Sequence, residues 1–150
     1  MIKIYIDTGG TFTDCIATRP DGSTLRRKVL SSSAIRGNAT VTDDPRTLTI
    51  HLEHDYCDHF FKGYRFLIQG NANRLYNIIA SDRKKYALTL DSDIGIPTGE
   101  TIQFEIQSPE EAPVFAIRMI TNRTLHEKLP PLQLRLSTTK GTNALLERRG

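Results

Sequence analysis

Short segments in which apolar and polar residues alternate dominate this sequence, and they restrict it to folds rich in β-strands. At the start, Ile2, Ile4 and Ile6 alternate with Lys3 and Tyr5, which is the period of a strand with one buried face. Turn-forming residues separate the segments from one another. Further segments with strand character are 15–18, 25–30, 47–52, 64–68, 75–80, 86–90, 101–107 and 132–136.

Two stretches of turn-forming residues divide the chain. Gly37-Asn38 and the stretch from Ser108 to Pro113 are typical of boundaries, and the five strand segments between them predict a small antiparallel barrel or sandwich. After Pro113, apolar residues at helical spacing predict one helix over about 114–125, which Pro130-Pro131 would stop. We therefore expect residues 1–36 and 110–150 to form a split α/β unit, interrupted by a β-rich insert over residues 37–109.

The most informative motif follows the first strand and reads DTGGTFTD, from Asp7 to Asp14. Gly9 and Gly10 permit positive φ and let a ligand approach bare backbone amides, which in a tight turn suit phosphate oxygens. Asp7 at the rim could hold a divalent cation against that phosphate. On physical grounds alone, this interpretation competes about evenly with a plain hairpin turn. The motif lies between two strands and matches neither a Walker loop nor a GxGxxG dinucleotide turn.

The same motif resembles the first phosphate loop of the actin, sugar kinase and Hsp70 ATPase superfamily. Its Gly-Gly-Thr-Phe-Thr-Asp form is similar to the hydantoinase A and oxoprolinase family in particular. At the far end, STTKGTNALLERRG, residues 137–150, resembles the GTTVATNALLERRG segment of that family. The departures are Ser137 in place of a glycine, and Lys140-Gly141 where the family usually has Val-Ala.

This resemblance implies an α/β fold, a ribonuclease H-like lobe of the actin-type ATPases carrying an inserted small antiparallel β domain. It also implies ATP and Mg²⁺ as cofactors. Asp7 would hold the metal through water, while Thr13 and Asp14 would brace the loop. The implied catalytic residues are Asp7, Thr139 and Asn143, and the implied nucleotide-binding residues are Gly9, Gly10, Thr11, Thr13, Thr138 and Thr142. We expect the two motifs to face each other across one cleft.

The implied activity is ATP-dependent hydrolysis of cyclic amides such as oxoproline or hydantoins. Enzymes that the sequence resembles are several times longer, so we expect an amino-terminal fragment that is inactive alone and is completed by the remainder of the same polypeptide. Two alternatives stay open. The chain could belong to a sugar or small-molecule kinase of the same superfamily, or it could be a non-catalytic β interaction module whose insert is the working part.

Charge, apolar length and cysteine content limit the classes of partner and the location that we expect. The formal net charge is +3, and the basic clusters Arg26-Arg27-Lys28 and Arg83-Lys84-Lys85 are short, so we expect no nucleic-acid partner. No stretch has the apolar length of a membrane span. Two cysteines and no leading signal segment predict free thiols in the cytoplasm. A homo-oligomer stays open.

A second candidate site lies inside the insert. If the strand that begins at residue 47 continued, one face would carry a set of side chains able to ligate a metal: His51, Glu53, Asp55, Cys57 and His59. The spacing matches no zinc pattern, and a half-buried strand must place polar residues outward, so we favour a solvated face.

Overall fold

A computed structural model describes residues 1–138, apart from the side chains of Ala72 and Thr138. This part of the chain contains ten strands and one helix. In chain order they are β1 (Ile2–Thr8), β2 (Phe12–Thr18), β3 (Thr24–Leu30), β4 (Ala34–Val41), β5 (Thr47–His51), β6 (Arg65–Ile68), β7 (Asn71–Asp82), β8 (Ala87–Leu90), β9 (Thr101–Gln107), α1 (Ala112–Thr121) and β10 (Leu132–Thr138).

The chain divides into two compact units. Within the described residues, the first unit comprises residues 1–33, 110–121 and 128–138, and the second comprises residues 34–109 and 122–127. The sequence predicts divisions at 36/37 and 109/110. The second unit begins three residues earlier than that because Gly37 and Asn38, which resemble a boundary in the sequence, lie inside β4.

The first unit is a four-stranded sheet with one helix on it. The strand order is β10-β1-β2-β3; β1 pairs antiparallel with β2, β2 antiparallel with β3, and β10 parallel with β1. Alternation of residues places Ile4, Ile6 and Cys15 on one buried face. Helix α1 packs on β1, β2 and β3 and contributes the buried Phe115 and Ala116. Apolar contact between these two layers forms the core of this unit.

Helix α1 is shorter than the sequence predicts. It ends at Thr121, and the next residue, Asn122, has φ 54°, the left-handed conformation that commonly terminates helices and that asparagine tolerates. The predicted continuation of the helix to residue 125 is therefore wrong.

Arg118 is buried on this helix, and its Nε lies 2.5 Å from Oε1 of Glu110.

The second unit is a closed antiparallel barrel. Its strands follow the order β4-β5-β8-β7-β6-β9, and β9 pairs with β4 again, so that the sheet closes on itself. Every pairing in this ring is antiparallel. Closure removes the exposed strand edges on which sheets aggregate.

Gly37 permits the closure of this barrel. An added Cβ there would lie 2.7 Å from the carbonyl oxygen of His51 and 2.9 Å from the ring of Phe104, its register partner on β9. Phe104 in turn stacks on Phe66, with ring centroids 5.2 Å apart. The missing side chain thus leaves space for an aromatic core residue.

The predicted fold class is wrong. We expected an α/β, ribonuclease H-like lobe with a β insert, but the described chain is mostly β with a single short helix. An α/β layer structure needs helices on both faces of its sheet, whereas α1 covers only one face of β1 to β3. Residues 139–150, which carry most of the second motif, lie outside the described residues.

Candidate phosphate-binding site

The loop that joins β1 to β2 carries the candidate site, and it is a tight hairpin. The amide of Gly9 donates to the carbonyl oxygen of Phe12 at 2.8 Å. The amides of Gly10 and Thr11 have no acceptor within residues 1–138. Gly10 and Thr11 are exposed, so their two N–H groups are available to an anion.

The two glycines differ from expectation in their conformation. Neither is among the residues with positive φ, so the left-handed backbone that we invoked for this turn does not occur. A Cβ added at Gly10 would meet nothing within 4 Å, whereas one at Gly9 would lie 3.2 Å from the carbonyl oxygen of Phe12. Gly10 therefore fulfils no packing requirement of the hairpin, and its bare backbone leaves room for a ligand.

Ser31, which the sequence analysis missed, holds the loop in place. Its hydroxyl donates to the carbonyl oxygen of Gly9 at 2.8 Å and shares a 3.0 Å hydrogen bond with Oγ1 of Thr13. The amide of Ser31 also donates to the carbonyl oxygen of Thr11 at 2.8 Å. Thr13 is fully buried, so its side chain holds the loop from the interior of the unit and cannot contact a ligand. Nothing in the Ser31-Ser32-Ser33 run distinguishes Ser31 before the fold is known.

Two carboxylates flank the loop on the face of the sheet that α1 leaves open. Asp7 on β1 and Asp14 on β2 are direct register partners, so their side chains lie on the same face. Like charges placed directly opposite destabilise a sheet. A hard divalent cation, which prefers oxygen ligands, would relieve that repulsion. Within the described residues only these two carboxylates contribute, so the Mg²⁺ that the resemblance implies would take its other ligands from water and phosphate.

The second motif begins beside the first. Ser137 and Thr138 on β10 are the register partners of Asp7 and Thr8 on β1, and because the two strands are parallel they end at the same edge of the sheet. The start of the second motif therefore lies next to the loop. Three further residues predicted to join this site, Thr139, Thr142 and Asn143, lie outside the described residues.

The metal candidate in the second unit does not assemble. Strand β5 ends at His51, so the residues after it do not share one strand face, and Asp55 instead forms an ion pair of 2.6 Å with Nε of Arg83. The Cys57 thiol lies 3.6 Å from the carbonyl oxygen of Asn122. No group of three or more histidine, cysteine, aspartate or glutamate side chains in the described part of the chain could hold a metal ion.

The comparisons with known proteins give no relative. No model of a known protein family matches the chain, and neither a curated protein nor a solved structure matches it. Within residues 1–138 the only helix has ten residues, which is too short to cross a membrane.

Proposed function

We propose that the β1–β2 loop binds the phosphates of ATP and that the chain serves an ATP-dependent hydrolase of cyclic amides. The observation that carries the proposal is the convergence at one sheet edge: the unpaired amides of Gly10 and Thr11, the carboxylate of Asp7, and Ser137 at the start of the second motif. Amide donors and an acid beside them suit a phosphate with its bound cation.

Each residue has a chemical task in this proposal. Gly10 and Thr11 would donate hydrogen bonds to phosphate oxygens, and Asp7 would hold Mg²⁺ through a water molecule. Ser31 and Thr13 keep the loop in position through their hydrogen bonds. When bound there, Mg²⁺ would neutralise charge that develops on the transferred phosphoryl group. The resemblance also assigns tasks to Thr139 and Asn143 in the second motif.

The reaction class follows from the chemistry of amides. An amide carbonyl is a poor electrophile, and transfer of the γ-phosphoryl group of ATP to its oxygen yields ADP and an activated carbon. Water attacks that carbon and the ring C–N bond breaks, which leaves an acyl phosphate. A second water then hydrolyses the acyl phosphate to a carboxylate and inorganic phosphate. The protein contributes positioning and charge stabilisation. A cytoplasmic location, where ATP is supplied, stays part of the proposal.

The test is ATP turnover by the longer protein that the resemblance implies, with oxoproline and hydantoin supplied in turn. Asp7→Asn should lower kcat about 100-fold, the scale of one lost electrostatic contact to the transition state. Asp43→Asn is the matched control, because Asp43 is exposed and has no hydrogen bond or ion pair within residues 1–138. Equal turnover by the two variants would refute the role of Asp7.

The same assay separates the proposal from a kinase. A hydrolase releases phosphate and the opened amide in equal amounts, whereas a sugar or small-molecule kinase leaves a phosphorylated product. Mass spectrometry of the product distinguishes them. A phosphorylated end product without ring opening would replace the hydrolase by the kinase while leaving the phosphate site in place.

A further inference from the structure

The first unit exposes one whole face of its sheet. Helix α1 covers the face that carries Ile4 and Ile6, and the opposite face carries Lys3, Tyr5 and Asp7 of β1. The registers arrange this open face in three rows across β10, β1, β2 and β3: Gln133, Lys3, Thr18, Thr24; then Arg135, Tyr5, Ile16, Arg26; then Ser137, Asp7, Asp14, Lys28.

Two aromatic rings are presented on this face. Tyr5, in the middle row, is 43% exposed, and Phe12, which precedes Asp14 by two residues on β2, is 45% exposed. Nζ of Lys28 lies 4.7 Å from the centroid of the Phe12 ring. Flat rings exposed to this extent on strands offer stacking platforms for planar ligands.

The open face is also basic. Lys3, Arg26, Lys28 and Arg135 stand in its three rows against two acids, Asp7 and Asp14, and none of the four cations forms an ion pair within residues 1–138. The acids lie in the third row, beside the hairpin loop. The first and middle rows therefore carry unpaired positive charge alone.

A groove runs over the first two rows. Its volume is about 560 Å³, within the range of small-ligand sites, and it is lined by Lys3, Ile4, Tyr5, Ile16, Thr18, Gln133, Leu134 and Arg135. On the open face these residues provide the ring of Tyr5 and the apolar side chain of Ile16, together with the cations Lys3 and Arg135, whereas the side chains of Ile4 and Leu134 belong to the opposite face. That combination complements a base and its adjoining phosphates.

We propose that this open face binds single-stranded nucleic acid. An unpaired base stacks on Tyr5, and the phosphates that flank this base contact Lys3, Arg26 and Arg135 in the first two rows. A sheet face with exposed rings suits unstacked bases, while duplex bases are stacked on one another and have no free faces. Charge complementarity selects a polyanion over a neutral peptide or sugar.

This inference replaces the expectation that no nucleic acid is a partner. The expectation considered only clusters that are continuous in sequence, whereas the cations on this face come from β1, β3 and β10 and meet only through strand pairing. The residues that carry it lie in the first two rows, whereas the proposed ATPase residues lie in the third row and in the hairpin loop, so the two proposals are tested by different variants.

The test is fluorescence anisotropy of the chain with labelled oligo(dT) and oligo(U) of about ten nucleotides, at several salt concentrations. Tyr5→Val, which keeps strand propensity but removes the ring, should weaken binding about tenfold. Tyr5→Phe should bind like the parent. Arg135→Ala should weaken binding and reduce the slope of log affinity against log salt by about 0.7.

Matched controls come from the second unit. Tyr86 is 47% exposed and has φ 53°, a left-handed conformation that asparagine tolerates, and Arg65 is an exposed cation on β6, so Tyr86→Asn and Arg65→Ala should leave binding unchanged. Thermal unfolding of each variant checks that it is folded. The proposal is overturned if the parent chain does not bind, if a duplex of the same length binds equally well, or if Tyr5→Val binds as tightly as Tyr5→Phe. The last outcome would reduce the face to a non-specific cationic patch.

Discussion

Asp7 on β1 and Ser137 on β10 are register partners in a parallel pair, although they stand near opposite ends of the sequence. Asp14 flanks Asp7 on the other side, across the antiparallel pair with β2. The two sequence motifs therefore meet at one sheet edge at the point where the hairpin loop begins. The loop is a candidate site because the start of the second motif lies beside it, which a hairpin turn by itself would not require.

Ser31→Ala should destabilise the first unit by about 1–3 kcal/mol, because it leaves the buried hydroxyl of Thr13 without its partner and frees the carbonyl of Gly9. The free energy of unfolding in urea measures the effect. Ser32→Ala is the control, because Ser32 is exposed and makes no hydrogen bond within residues 1–138. Equal stability of the two variants would show that Ser31 does not hold the loop.

Glu110→Gln should destabilise the chain by about 2 kcal/mol, because the buried guanidinium of Arg118 loses the charge of its carboxylate partner. The figure lies below that for a fully buried pair because the Glu110 side chain is 33% exposed. Glu111→Gln, one residue further along, changes an exposed acid of the same type and should have little effect. Thermal unfolding compares the two, and similar midpoints would contradict the importance of this ion pair.

Gly37→Ala should destabilise the barrel by about 1–3 kcal/mol, because the new methyl group would approach the ring of Phe104 and the backbone of His51 too closely. Gly10→Ala adds the same group where nothing lies within 4 Å, and it should leave stability unchanged. Urea unfolding of both variants tests the contrast. If Gly37→Ala proved as stable as Gly10→Ala, the barrel would not close as described.

Alkali should weaken the fold partly through Cys15. Burial raises the pKa of the Cys15 thiol from 9.0 to about 12, with Arg27 opposing that shift. Between pH 9 and 12 the unfolded chain has lost this proton while the folded chain keeps it, so stability falls as pH rises through this window. The slope of unfolding free energy against pH should be shallower in Cys15→Ala, whatever its stability at pH 7. An unchanged slope would contradict the assigned burial of the thiol.

The sequence predicted most strands and the position of the loop, and the reasons for its failures are physical. Period-two alternation located β3, β5 and β9 to within a residue at each end because each has one buried face, and it located the start of β1, which runs two residues past the predicted end. Alternation missed β4 because Gly37 interrupts its pattern. A glycine is required there because the ring of Phe104 packs against it, and that contact is visible only in the closed barrel. The fold class failed because a resemblance in short motifs carried no information about how many helices cover the sheet.

The candidate site was predictable only in part. Asp7, Gly10 and Thr11 were identified from the motif, but the role of Ser31 depends on a hydrogen bond between segments that are distant in sequence. The open face of the first unit was not predictable either. Each row joins residues that become neighbours only when the strands pair in a particular register. The sequence alone shows neither which strands pair nor in which register.

A ¹H–¹⁵N NMR titration of this chain with Mg²⁺-ATP tests most directly whether the amides of Gly10 and Thr11 receive phosphate oxygens. We expect the largest amide shifts at Gly10 and Thr11, with smaller ones at Asp7 and Asp14, and we expect Gly10→Ala to weaken these shifts without unfolding the chain. Absence of shifts in the loop at saturating nucleotide, or shifts confined to the open face around Tyr5, would contradict it.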